Sequence, residues 1–594
     1  MGDGATGFDA DVVVVGSGFG GSVAALRFSE AGEHVVVLER GPWVRREDFQ
    51  ADPDMFWSPR RHRFGMNELR ARGRHIIPWV GAGVGGGSHV YAATLKRRAF
   101  FDDFPVALDP DEMEAHYAVG EEMMDAQYYP DYPPYSDVRA TRLLFSVGRT
   151  LMQERPELVE DWGPIHLGIS FAPPDGTPGA EFVNKHGAPQ RYSDPSEHSL
   201  LGGDIDAKNS LDRNYLFAAQ KLGAEIHPLS EADRIEPLEG GGYRVHFRRY
   251  VMEPRFWKRI VRNWFPGLVR TLDEQGSITA QRLVLSAGSV GSTELLLRAR
   301  DVHGTMGDLS PRLGHSYSSN GDYVSLMLPF RGFFASWAGF IAAVAGLLLG
   351  NWWVVSSGAL VYLIVLGKSR SAFDPDLGVT NSDYIRFRGR DGLPQGAYVE
   401  SGRYPTPLRA SLALLLSVTG RYRPGSYKSI IRFTNFLRRW VPPFELIARS
   451  WPIPLLEMGR DDAVGRYHLD KNGRATLDYD FAANAEFYDW LDELGRMISK
   501  AANAWWLPNI PARLLKRVEI PHNLGGVPMG TGAEDGVVDH AGRVFGYDDL
   551  MVLDGSIVPV TLGPNPALTI LALSERAMRR IVAQVKRVGV VRPD

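Results

Sequence analysis

The chain has 594 residues, with 66 basic and 70 acidic side chains and a formal net charge of −4 at pH 7. Charge this close to balance provides no global field to recruit a nucleic acid or an acidic polymer, so no nucleic-acid partner is expected. Cysteine is absent, which excludes disulfides, thiolate metal sites and thiol nucleophiles; no metal site is expected, and redox chemistry would need an external cofactor.

Residues 1–10 (MGDGATGFDA) carry two acids, no Lys or Arg and no apolar run. A secretory signal needs a basic start and an apolar core, so the expected location is cytoplasmic. Val12–Val15 read as a buried strand ending in glycine, Ser22–Ala31 as a small-residue helix packed close to a sheet, and His34–Leu38 as a second strand. Strand, turn, helix, strand is the unit from which parallel sheets are built. Gly16, Gly18 and Gly21 fit G-x-G-x-x-G at its turn. In such a turn the first glycine permits the bend, the second admits a pyrophosphate and the third lets helix and strand pack closely, while the helix N-terminus stabilises the phosphate charge. Glu39 ends the second strand, where a carboxylate can accept hydrogen bonds from ribose hydroxyls and disfavours a 2′-phosphate.

Pro78–Leu95 (PWVGAGVGGGSHVYAATL) has too many glycines for a regular element and reads as a loop approaching a ligand, with Gly83, Gly85, Gly86, Gly87 and Ser88 as contacts. Arg282–Leu297 repeats strand, small-residue turn (Ala287, Gly288) and helix. Arg248–Arg270 and Arg421–Trp440 mix basic and aromatic residues, as at an anionic lipid surface, although such runs are more often solvated faces. Trp451, Trp505 and Trp506 read more readily as core than as binding surface.

Phe333–Gly367 contains no charged residue and lies between Arg331 and Lys368. A membrane-crossing helix needs about 20 residues, so the run is long for one span and slightly short for two. One crossing would separate Gly16 from His522, which must serve one site. An apolar helical hairpin bent at Gly350-Asn351 is expected, inserted into a membrane from its cytoplasmic face by an even number of crossings or only halfway, or else buried at a subunit interface or over a substrate tunnel.

Near the C-terminus, His522 precedes Leu524-Gly525-Gly526, and an imidazole titrating near neutrality suits the acceptance of an alcohol proton. Asn565-Pro566 precedes ALTILALSERAMRRIV, a helix-start signal that would place the positive end of a helix beside Asp554-Gly555. There it would favour negative charge on a flavin ring, but Asn565 equally fits a plain helix cap.

The segments GSGFGGSVAALRFSEAG, GAGVGGGS, DAKNSLDRNYL, LVLSAGSVGSTELLL, HNLGG and Gly542–Ala577 together resemble the glucose-methanol-choline (GMC) oxidoreductases, and within them the cholesterol oxidase-like flavoproteins. The resemblance covers roughly the half of the chain that would form the cofactor domain. It implies an α/β fold in which a Rossmann-like, doubly wound FAD-binding domain (9–105, 205–315 and 520–588) is interleaved with an α+β substrate domain (106–204 and 316–519) built on a mostly antiparallel sheet. It implies FAD, contacted also by Ala287, Gly288, Asp554, Gly555, Asn565, Pro566 and Ala567, and hydride transfer from an apolar alcohol, a sterol or another lipid-like hydroxyl, to flavin N5, with oxygen or a quinone as acceptor. It carries His522 to the family's active-site histidine and Asn565 to its partner asparagine. An FAD-bearing membrane or assembly protein with little turnover, or a dehydrogenase of non-sterol alcohols, is the alternative.

Departures from the family pattern carry their own expectations. Asn523 stands where a proline is usual, which should loosen the backbone beside His522. Tyr91 stands where sterol oxidases commonly show asparagine. His89 is one residue out of register with a histidine that tethers FAD in some relatives, and Val90 occupies that position, so noncovalent FAD is expected. Glu445 and Glu457 lie in the region of a glutamate that assists steroid isomerisation, without a convincing match. The oligomeric state is left open.

Overall fold

The computed structural model describes residues 7–45, 57–59, 63–69, 75–98, 101–196, 205–251, 272–329, 339, 342–343, 345–346, 348–350, 352–369, 377–390, 396–403 and 452–589. Arg421–Trp440, Glu445, Trp451 and nearly all of Arg248–Arg270 therefore lie outside the described residues.

The valine run becomes the strand Ala10–Val15, with Val12, Val13 and Val14 fully buried. It lies between two parallel partners, so that Val14 is registered with Val37 on one side and with Val284 on the other. Strands buried on both faces have no polar side, which explains the unbroken apolar run. Outward from Val35–Leu38 lies Glu225–His227. Leu272–Leu285 pairs in parallel at its end with Leu550–Val552 and antiparallel along its length with Tyr243–Val251, which pairs with Ser230–Pro237. This seven-stranded sheet is thus mixed.

The first helix, Phe19–Glu30, starts three residues before the expected Ser22, because Gly20 and Gly21 already lie in the helix against the sheet. A β-carbon at Gly20 would stand 1.5 Å from the Leu553 carbonyl oxygen, so the first and last segments touch backbone to backbone. Glu575, in the C-terminal helix Ala567–Gly589, reinforces that contact: it takes two hydrogen bonds from Arg27, at 2.8 and 2.7 Å, and one from Tyr215, at 2.8 Å.

A second sheet has six strands, every neighbouring pair antiparallel, in the order Ala504–Leu507, Tyr323–Pro329, Ile453–Met458, Ala397–Ser401, Asp383–Phe387, Val159–Pro164. The amphipathic helices Arg139–Glu154 and Ala485–Ala501 cover it.

The glycine-rich stretch is not loop throughout. Residues 78–81 belong to the strand Ile76–Gly81, paired with Asn67–Leu69 and Val518–Ile520. The irregular part begins at Ala82, where the glycines become dense.

In the apolar segment, Trp352–Ser369 is helical, and the described residues between 339 and 348 are helical too. Gly350 adopts φ +66°, and a β-carbon at Gly358 would lie 2.6 Å from the Ala343 nitrogen, so the two stretches approach closely. Among the described residues, no helix is long and apolar enough to cross a membrane.

Candidate active site

Gly16 sits at φ +96°, a left-handed conformation that glycine tolerates and other residues resist. A β-carbon at Gly21 would meet the Gly16 carbonyl oxygen at 2.0 Å, whereas one at Gly18 would face open space. The helix that follows has no side-chain cap and no acid in its first turn, so no residue of the helix itself compensates its positive end. These are the features a pyrophosphate needs, and FAD fits this crevice.

Glu39 sits at the end of the second strand, but its oxygens are engaged within the protein. One accepts from the Ser17 N–H (3.1 Å) and hydroxyl (2.7 Å), the other from the N–H groups of Gly41 (2.8 Å) and Gly83 (3.3 Å). The Gly85 N–H in turn donates to Ser17 Oγ at 3.1 Å. Glu39 therefore fastens the glycine-rich loop to the first turn, and Gly86 lies against Gly18. Ser88 Oγ donates to the Gly85 carbonyl and accepts from the Leu211 N–H. Gly87 begins the turn whose carbonyl accepts from Tyr91 N–H. The buried Lys208 ammonium donates to the carbonyls of His89 (2.9 Å) and Tyr91 (2.7 Å), holding the far end of the loop. The sequence reading quoted the segment containing Lys208 without seeing this role.

His89 is buried, with Nε2 bonded to the Val84 carbonyl at 2.7 Å. Burial pushes its pKa down. Nε2 is thus committed to the loop's own backbone, while Nδ1 is buried without a partner.

Asp554 ties the C-terminal segment to the third strand–helix turn. Its oxygens accept from the Gly288 N–H (2.9 Å), Ser292 Oγ (2.5 Å), and the Ser556 N–H (2.8 Å) and Oγ (2.5 Å). Ser292 Oγ also accepts from the Ala287 N–H at 3.0 Å. Gly555 accepts from the Gly525 N–H at 2.9 Å, which brings the segment after His522 against this turn.

The last helix begins at Ala567, with the Pro566 carbonyl taking the Ile570 N–H, so Pro566 precedes the helix instead of opening it. Asn565 does not act as a cap through its side chain. It is 5% exposed, and its Oδ1 is buried without a hydrogen-bond partner. A buried acceptor left unsatisfied costs about 1–3 kcal/mol, so this oxygen is poised for a donor brought by a ligand.

His522 follows the strand Val518–Ile520, and its Nδ1 stands 2.8 Å from Asp322 Oδ1 while its N–H donates to Asp322 Oδ2 at 3.2 Å. This bonding puts the proton of the neutral ring on Nδ1 and the lone pair on Nε2. Burial alone would lower the imidazole pKa, but Asp322 and Glu400 outweigh it and raise it above the ordinary value. Burial raises Asp322, against the pull of His522.

Asn523 does not loosen the backbone here. Its Oδ1 accepts from the Tyr317 hydroxyl at 2.9 Å, and its Nδ2 donates to the carbonyls of Trp79 (3.2 Å) and Ile520 (3.1 Å). Three hydrogen bonds fix the position where a ring would have restricted φ.

Two acids escaped the sequence reading. Asp322 lies in the turn before the strand Tyr323–Pro329, and Asn320 in the same turn accepts from the N–H groups of Leu562 (3.1 Å) and Gly563 (3.0 Å). One turn therefore grips His522 and, two residues away, the loop leading to Asn565. The signal available was the polar string Tyr317–Tyr323 (YSSNGDY) before a strand, which marks a turn but not its neighbours. Glu400, buried in the strand Ala397–Ser401, accepts from Asn381 Nδ2 and is pushed up to about 8 by burial, against the opposing charge of His522. Of the glutamates considered from sequence, Glu457 is buried on the neighbouring strand and accepts from Ser325 Oγ at 2.8 Å. Glu400, and not Glu457, acts on His522.

Comparison with known proteins agrees with this architecture. Residues 479–574 match the GMC oxidoreductase C-terminal domain, and residues 11–52 match an FAD-binding domain. The chain is 27% identical to a cholesterol oxidase of Acinetobacter baumannii, over 97% of this chain and 95% of the relative. It is 28% identical to a cholesterol oxidase of Mycobacterium tuberculosis (strain ATCC 25618 / H37Rv), over 96% of this chain and 90% of the relative. The crystal structure of pyridoxine 4-oxidase from Mesorbium loti shares the fold, with a TM-score of 0.52 over 96% of this chain and 99% of that one, at 16% identity.

Proposed function

Starting from an FAD-dependent oxidoreductase of the GMC type, we propose that the chain oxidises an apolar secondary or primary alcohol, a sterol or other lipid-like hydroxyl, to the carbonyl. The observation that carries this reading is the His522 imidazole, bound through Nδ1 to buried Asp322 so that Nε2 is the basic nitrogen. The substrate hydroxyl donates to Nε2, and Asn565 can donate through Nδ2 to the alcohol oxygen, its buried Oδ1 remaining for another donor of the bound ligands. As the O–H proton passes to Nε2, the carbinol C–H bond breaks with its electron pair and the C=O bond forms. FAD, when bound, supplies the hydride acceptor. Asp322 stabilises the imidazolium that results. The overall oxidant would be oxygen, reduced to hydrogen peroxide, or a quinone, reduced to the quinol.

The sterol or lipid character of the substrate is supported by similarity to two cholesterol oxidases over nearly the whole chain. Against a tether through Nε2 of His89 stands its hydrogen bond with the Val84 carbonyl, which supports noncovalent attachment of FAD. The test is anaerobic mixing of the holoenzyme with sterols, long-chain alcohols and sugars while flavin absorbance is followed. Bleaching by the first two and not the third is expected. Bleaching by sugars alone, or by none of these, rejects the reading.

A further inference from the structure

Asn320 spends its whole side-chain amide on one short stretch of the loop before the last helix. Its Oδ1 accepts from the N–H groups of Leu562 (3.1 Å) and Gly563 (3.0 Å), and its Nδ2 donates to the carbonyls of Gly563 (3.3 Å) and Pro564 (3.1 Å). An amide offers two donors and two acceptor lone pairs, so all of them are used here. The Pro564 carbonyl and the Asn565 nitrogen belong to one planar peptide unit, which makes the last of these bonds a direct hold on the backbone of Asn565. That hold matters because Asn565 Oδ1 is buried with no partner of its own.

The same turn is fastened to the segment carrying His522. Ser318 exchanges backbone hydrogen bonds with Leu524, both at 3.1 Å, and Asp322 accepts from the ring and the backbone of His522. Asp461 anchors the turn. Its side-chain oxygens accept from Ser318 Oγ (2.6 Å), from the Ser319 N–H (2.9 Å) and Oγ (2.8 Å), and from the hydroxyls of Tyr479 (3.0 Å) and Thr561. Thr561 immediately precedes the clamped stretch, so Asp461 ties turn and loop to each other as well. Ser318, Ser319 and Asn320 are fully buried, and Asp461 and Thr561 are buried too. Asn320 and Gly321 adopt left-handed backbone, φ +55° and +64°, a conformation that asparagine and glycine tolerate.

We propose that Asn320 is a positioning residue for Asn565: through its amide, the turn that orients His522 also sets where Asn565 stands, with Asp461 as the anchor common to turn and loop. The inference rests on the alcohol reading for what His522 and Asn565 do, and on the hydrogen bonds alone for how they are held. The two groups come from separate segments of the chain, and a misplacement of about 1 Å between such groups costs roughly 100-fold in rate. The turn supplies a rigid body that both segments touch. Each bond of the Asn320 amide goes to the loop's backbone, so its effect reaches the alcohol only through Asn565.

The test is a double-mutant cycle on the holoenzyme. Asn320→Gly keeps the left-handed backbone and removes the amide. It should slow single-turnover flavin reduction by about 10- to 100-fold with FAD retained, while the pH midpoint of reduction stays in place because the contact of His522 with Asp322 is untouched. In an Asn565→Ala background the same substitution should slow reduction by no more than about twofold, since two residues that act as a unit are not additive. Thr561→Val, which takes one hydroxyl from Asp461, should act in the same way but less strongly, and replaces Asn320→Gly in the cycle should that variant lose FAD. Hydrogen exchange read by mass spectrometry needs no substrate: Asn320→Gly should speed exchange in the peptide holding Leu562 and Gly563 and leave the peptide holding Leu524 unchanged. Slowing that persists in full in the Asn565→Ala background, undiminished reduction in Asn320→Gly, a displaced pH midpoint, or unaltered exchange at Leu562 and Gly563 would each overturn the inference. A wild-type flavin that no alcohol bleaches sinks the alcohol reading alone, and exchange then decides the clamp.

Discussion

Asp322 grips His522 twice, through the ring nitrogen Nδ1 at 2.8 Å and through the backbone N–H at 3.2 Å. One buried carboxylate thereby sets the tautomer, the ring orientation and the backbone of the candidate base. Because the imidazole pKa is raised, the free base at Nε2 accumulates only as pH climbs past a value above the ordinary histidine range. Flavin reduction should rise with pH along that limb. Asp322→Asn removes the charge that favours the imidazolium, so the limb should move to lower pH while the plateau falls about 10- to 100-fold. Glu400→Gln, which removes a carboxyl that burial keeps protonated up to about 8, should move the limb in the same direction but by less. The groups beyond this pair are Asp461, which acts on Asp322, and Asp383 and Lys96, which act on Glu400. Stopped-flow reduction across pH decides the matter; a plateau that drops with an unmoved midpoint would make Asp322 a merely structural support.

Asn565 presents a buried acceptor without a partner. Asn565→Asp puts a charge there and removes the amide donor, while His522→Ala removes the base. Each should slow single-turnover flavin reduction by about 100-fold or more, with the protein still yellow. Undiminished reduction in both variants would remove them from the mechanism.

Gly20 is where the two ends of the chain meet, with no room for a methyl group before the Leu553 carbonyl. Gly20→Ala should separate the first helix from the C-terminal segment and yield protein with a much lower flavin-to-protein absorbance ratio and a lower melting temperature. Gly32→Ala, at a position with open space but φ +86°, should cost only the backbone strain, on the order of 1 kcal/mol. Equal flavin loss in the two variants would refute the contact argument.

Glu519 is pushed up to about 8 by burial, and its Oε1 has no hydrogen-bond partner. A carboxyl whose folded pKa is raised binds its proton more tightly in the folded state, so its contribution is greatest in acid and is lost as pH rises from the ordinary glutamate range through about 8. Glu519→Gln should therefore be close to neutral at pH 5 and stabilising by roughly 1–3 kcal/mol at pH 8. Thermal melts at the two pH values check this, and an equal effect at both would be inconsistent with a buried, protonated acid.

The parts of this molecule legible in its sequence are those whose chemistry is local. Val12–Val15 and the glycines after them announce a buried strand and a phosphate turn because neighbours in sequence are neighbours in space. Glu39 was recognised by its position, yet its oxygens bind Ser17, Gly41 and Gly83, a loop–loop contact that no spacing rule encodes. Asp322 and Glu400 were invisible for the same reason: Asp322 meets His522 from the turn before one strand of the antiparallel sheet, and Glu400 acts on it electrostatically from another. Trp505, read as core, is 44% exposed because its strand is the edge of that sheet.

The sheet that carries the cofactor crevice also dictates an order of assembly. The strand Ala10–Val15 acquires its second parallel neighbour only when residue 285 has been made, and that neighbour in turn gains Leu550–Val552 only when residue 552 has been made. A nascent chain leaving the ribosome must therefore carry an open sheet edge until then. Prematurely terminated products lacking the final helix should be recognised by chaperones and proteases, since the clasp of Glu575 on Arg27 and Tyr215 forms only once that helix has been made.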